Sequence, residues 1–85
     1  MSEPVPVFLG PVLLGRRVEL VLAGSYKEER GVVIGLSPHR SIRLVPEHAA
    51  RYDAKIGAWL PTRPLSGEWV RHRNELLRVT VLDVP

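Results

Sequence analysis

The residues of this chain best equipped to do chemistry are its arginines. They supply ten of the twelve basic residues, and only Lys27 and Lys55 are lysines. A guanidinium pairs bidentately with phosphate and stacks on flat bases, so a net charge of +3 carried this way points to a polyanionic partner, RNA or DNA. A coding bias toward arginine explains the same composition with no partner at all. Spacing adds to the count. Arg40 and Arg43 flank one β-like run, while Arg71 and Arg73 close another and share a face if the strand continues through them. With Lys27 and Arg30 they are expected to form a stripe across neighbouring strands, and Tyr26 offers a stacking ring beside Lys27. Tyr26, Lys27, Arg30, Arg40, Arg43, Arg71 and Arg73 are therefore the candidate nucleic-acid contacts. The plainer reading is a solvated face whose cations are balanced by Glu19, Glu28, Glu29 and Glu75.

Catalysis finds little support. His39, His48 and His72 lie far apart without metal-ligand spacing, and read as surface or turn residues. Ser25, Ser37 and Ser41 lack the strand–elbow–helix setting of a nucleophile. Glu28 and Glu29 are adjacent, so their carboxylates point apart and do not make an acid/base pair. No phosphate-binding glycine fingerprint is present. The expectation is a non-enzyme that uses neither metal nor cofactor. The chain has no cysteine, which excludes disulfide scaffolds and cysteine-based zinc ribbons and makes a reducing cytoplasm the natural compartment.

A second class of candidate is apolar. Val5 to Gly15 is nearly all hydrophobic but is cut by Pro6 and Pro11, and it falls well short of the roughly 20 residues that span a bilayer. Its basic residues, Arg16 and Arg17, follow the apolar run, the reverse of a signal peptide. Residues 1–15 are expected to form an extended arm that packs on the domain or on a neighbour, with Phe8 and Leu13 as contacts. Trp59 and Leu60 are further candidate protein contacts, since two tryptophans among only five aromatics suit core or interface plugs. These residues favour a competing function: a protein-interaction module, or a homo-oligomeric or regulatory subunit, with no membrane partner.

The elements that must position these residues are mostly strands. In Arg17–Leu22, positions 18, 20 and 22 alternate as an apolar face, so the register predicts a half-buried strand. Arg30–Leu36 and Ser41–Val45 continue the pattern after turns at Ala23-Gly24-Ser25 and Ser37-Pro38-His39-Arg40. Pro46 to Asp53 reads as a helix of at most two turns, and Trp59 to Leu65 as too rich in proline for regular structure. Strands resume at Glu68–Arg71 and Leu77–Val81, with a turn near Arg73-Asn74. Val18, Leu20, Leu22, Val33, Leu44 and Val79 are expected to share one core. Five short strands in residues 16–85 suit a small barrel that hides its edges, with one short helix; an open four-stranded sheet crossed by a helix is the alternative.

The stretch Arg17–Val45, RVELVLAGSYKEERGVVIGLSPHRSIRLV, resembles the KOW motif of certain ribosomal proteins and NusG-type transcription elongation factors. An apolar strand leads into Gly24, Tyr26-Lys27 occupies the loop, and Gly31 opens a β-branched strand toward Pro38. The resemblance implies an SH3-like barrel and RNA contact through the loop. It departs from the family at Glu28, where many members carry glycine, and Glu28 and Glu29 would repel phosphate there. Leu14–Leu22 is also similar, more loosely, to the opening strand of Sm-like RNA-binding barrels, and Asn74–Val79 to the short turn into the last strand of SH3-like barrels.

Overall fold

In the computed structural model the described residues are 10–37 and 40–82. The strands are β1 (Arg17–Leu22), β2 (Glu28–Ser37), β3 (Ser41–Val45), β4 (Ala50–Asp53), β5 (Ala58–Pro61), β6 (Trp69–His72) and β7 (Leu76–Val81). Three short 3-10 turns, η1 (Pro11–Leu13), η2 (Glu47–Ala49) and η3 (Arg73–Glu75), are the only helical elements among the described residues. The protein is mainly β, and its main sheet is antiparallel in the order β6-β3-β2-β1-β7. Strands β4 and β5 form a separate two-stranded sheet.

The edge strands β6 and β7 are consecutive in the chain, joined only by the three residues of η3. A flat sheet of five strands would hold its edges about 19 Å apart. A 3-10 link of this length spans only about 8 Å. The sheet is therefore curled, with its two edges brought toward η3.

The alternating residues of β1 predict the concave face correctly. Val18, Leu20, Val33 and Leu44 are buried together with Leu13, Ile42 and Leu76, and Leu22, Leu36, Trp69 and Val79 pack against them. A second, smaller core lies on the other side of β2. There Val32, Val45 and Ala49 are buried beneath Ile34, Ala50, Trp59 and Leu65, so the β4–β5 hairpin covers that face. A bulge between Val33 and Gly35 serves both cores, since it restores Leu36 to the concave face after Ile34 has turned outward.

Three expectations need correction. No two-turn helix follows Pro46. Only η2 forms, and Ala50–Asp53 is a strand whose Tyr52 meets Trp59 edge-on at 5.7 Å. Trp59–Pro61 is likewise a strand, because Pro61 stands at its end, where a missing N–H is tolerated. The segment before Arg16 is not extended throughout: η1 folds it back, and Leu13 enters the main core. Both hairpin and turn gain by burying apolar side chains, which overrides local preference. Residues 1–9, including Phe8, lie outside the described residues.

Candidate binding surface around η3

Pairing register decides which way each candidate points. Ile42 opposes Arg71, and Leu20 opposes Glu29, so Arg71 and Glu29 share the concave face with the core. They meet over the concave side of the curled sheet, since Arg71 lies opposite Ile42 and, beyond it, Leu36, seven residues along β2 from Glu29. Arg71 Nη2 donates to Glu29 Oε2 at 2.6 Å and Nε to Oε1 at 2.8 Å, a bidentate fork. The remaining Nη1 donates to Glu75 Oε2 at 3.3 Å. The hydrogen bonds from Arg71 hold the Glu29 carboxyl below its usual range, and Glu29 in turn raises Arg71. Glu75 Oε1 also accepts the His72 N–H at 2.9 Å, and His72 Nδ1 accepts the Asn74 N–H at 3.2 Å, a reciprocal pair that caps the N-terminus of η3.

Next to this clasp, Gly31 lies under the Trp69 ring. A Cβ at Gly31 would stand 2.6 Å from Trp69 Cη2 and 2.7 Å from the Val45 carbonyl oxygen. Gly31 is thus a point of close approach, and the β2 bulge falls further along, between Val33 and Gly35.

Two loops converge on η3. The Ala23 N–H of the β1–β2 turn donates to the Glu75 carbonyl at 2.8 Å, and the Arg73 N–H donates to the Arg40 carbonyl at 2.8 Å. Four candidates thereby gather at one end of the sheet: Tyr26, Lys27, Arg40 and Arg73. Tyr26 is 71 % exposed at the tip of its turn. Its φ of 57° and the φ of 86° at Gly24 turn the chain sharply as it leaves β1, within the turn expected at Ala23-Gly24-Ser25. Arg40 and Lys27 are exposed and Arg73 is half-buried. None of these three cations forms an ion pair with a carboxylate among the described residues.

The other candidates are placed differently. Arg30 faces the opposite side of the sheet and pairs with Glu19 at 3.0 Å. Arg43 lies on that same outer side, opposite Gly35, and pairs with Glu68 at 3.4 Å. Arg71 is committed to Glu29. It also does not share a strand face with Arg73, because β6 stops at His72 and Arg73 begins η3. The single stripe across the sheet is thus not formed.

The apolar candidates separate as well. Leu13 is core, and the exposed residues beside it are Val12 and Leu14. Leu60 is exposed at the edge of a groove of about 290 Å³ lined by Leu14, Gly15, Ile34, Trp59 and Pro61 among others. Trp59 forms its wall, stacked beneath the Arg17 guanidinium at 5.6 Å, which also reaches Glu47 at 3.3 Å. Sequence reasoning missed the roles of Arg17 and Glu29. Parity would have found the second, since Glu29 stands two and four positions before Gly31 and Val33 on one strand.

Among the described residues no group of three or more His, Asp or Glu side chains is placed to hold a metal ion. No described helix is long and apolar enough to cross a membrane. No family model, no curated protein and no solved structure matches this chain.

Proposed function

We propose that this chain is a non-catalytic nucleic-acid-binding module of the SH3-like barrel kind, which takes RNA at the η3 end and acts in the cytoplasm within a larger complex. The sheet order, with its last two strands joined by one 3-10 turn, supports the barrel reading. The observation that carries the binding reading is the pair Arg40 and Arg73, tied backbone to backbone at 2.8 Å. With their backbones joined and neither side chain paired with a carboxylate among the described residues, both guanidinium groups are available to a phosphate at this end of the sheet. Tyr26, exposed on the adjoining turn, adds a face on which a base stacks.

The test is fluorescence anisotropy with single-stranded RNA and DNA oligonucleotides of one sequence. Binding at low salt should weaken steeply as salt rises, and Arg40→Gln with Arg73→Gln should reduce the slope of log K on log salt by about one to two. A chain that binds neither oligonucleotide at low salt would instead favour the second reading, a protein-interaction module. That reading draws on one specific observation, the exposed Leu14 and Leu60 around the Trp59 groove.

A further inference from the structure

The Trp59 groove has the chemistry of a site built to hold an aromatic ring. Its rim is apolar, with Leu14 45 % and Leu60 38 % exposed, and its wall is an indole whose buried Nε1 has no hydrogen-bond partner among the described residues. Its floor is Gly15, whose N–H donates to the Val33 carbonyl at 2.9 Å and whose carbonyl accepts the Trp59 N–H at 2.7 Å. The floor's backbone groups are therefore satisfied and ask nothing of an occupant. A cavity of about 150 Å³ holds a benzene-sized ring, and this groove has about 290 Å³.

The chain carries a fitting occupant close by. The residues before Gly10 read MSEPVPVFL, in which Val5, Val7, Phe8 and Leu9 are apolar. Pro4 and Pro6 have no N–H to leave unsatisfied and favour an extended, polyproline-like backbone, the form that aromatic-lined grooves accept. Reach is not limiting. The Leu13 N–H donates to the Gly10 carbonyl at 3.0 Å, which folds the chain back. Four residues at the 3-10 rise then place Gly10 within about 8 Å of Leu14. Two further residues cover about 7 Å at most, enough chain for residue 8 to span the remaining distance.

We propose that the groove is the docking site of the chain's own N-terminal arm, with the Phe8 ring seated against Trp59 between Leu14 and Leu60. This inference is independent of the nucleic-acid reading. A protein partner that used the groove would have to displace the arm.

Phe8 is the only phenylalanine in the chain, so biosynthetic 4-fluorophenylalanine puts a single fluorine reporter in the full-length protein. Its resonance should be displaced from the free amino-acid position and show NOE contacts to the Trp59 indole and Leu60 methyl protons. Leu60→Lys, a change at an exposed rim position, should return the resonance to the free value while the fold's amide spectrum is kept. A narrow resonance at the free position in the unsubstituted chain, or one unmoved by Leu60→Lys, overturns the proposal. Mixing fluorinated protein with carbon-13-labelled, fluorine-free protein separates the remaining source. Contacts that appear between chains assign the groove to a second copy and also overturn it.

Discussion

Glu28 and Glu29 are neighbours in sequence with opposite fates. Strand alternation turns Glu29 onto the concave face, where it takes the Arg71 fork, while Glu28 stays exposed and unpaired among the described residues. Glu29 therefore cannot repel a bound phosphate as the sequence suggests, but Glu28 can. Glu28→Gln should strengthen RNA binding slightly without changing stability, whereas Glu29→Gln should lower stability by about 1–3 kcal/mol, as expected for a hydrogen bond to a charged group. Because the Glu29 pKa is depressed on folding, its contribution is present above the ordinary value of 4.5 and is lost as pH falls through the lower folded value. Urea midpoints measured at neutral pH and again well below pH 4.5 should thus differ more for the natural chain than for Glu29→Gln. An equal pH response in both would mean that the clasp contributes nothing to folding. Gly31 is a second single-residue control point. Adding the one methyl of Gly31→Ala drives a Cβ into Trp69 and the Val45 carbonyl, so a loss of at least about 1–3 kcal/mol is expected in the same denaturation assay.

Elements here are held by what they cover, not by their own preference. Strand β1 is central, paired on both sides, and presents Val18 and Leu20 without any exposure. Leu20→Ala should cost about 2–4 kcal/mol, a large part of a small domain's stability. Leu60→Ala on β5 should stay within about 0.5 kcal/mol, since that side chain lies at the groove rim and not in either core. The two variants, compared by thermal unfolding, test whether the main sheet carries the stability. Similar losses from both would move that weight to the hairpin. Strands β4 and β5 survive on the apolar face they share with β2, where Trp59 and Ala50 shield Val32 and Val45. Without that cover a lone two-stranded sheet is marginal in water.

At the scale of the whole molecule, charge is distributed unevenly. Arg17, Arg30, Arg43 and Arg71 meet carboxylates, and the cations at the η3 end left without one among the described residues are Lys27, Arg40 and Arg73. The salt dependence of RNA binding should therefore respond to the second group and ignore Arg30. Lys27→Gln should lower the slope by about one, and Arg30→Gln should leave it unchanged. Tyr26→Ala should cost about 1–3 kcal/mol of affinity with the slope intact, because stacking releases few counterions. If Arg30→Gln flattens the slope as much as Lys27→Gln, the binding face is the outer side of the sheet and not the η3 end.

Much of the main sheet was legible in the residue order. Alternation at Val18, Leu20 and Leu22, and again at Ile42 and Leu44, specifies which face is buried, because the side-chain period of a strand is two and only one face meets the core. Turn residues at 23–25 set where β1 ends. Which arginines remain free was not legible. Arg71 and Arg73 look equivalent in sequence, yet one is neutralised by a carboxylate 42 positions away and the other is tied through its backbone to Arg40. Strand formation at Ala50–Asp53 and Ala58–Pro61 was hidden for the same reason. Local preference there is weak, and the deciding energy is apolar burial against a strand, β2, that is distant in sequence. Periodicity is a local property of the chain. Pairing partners are not, and they exist only once the sheet has curled and brought η3, the β1–β2 turn and Arg40 together.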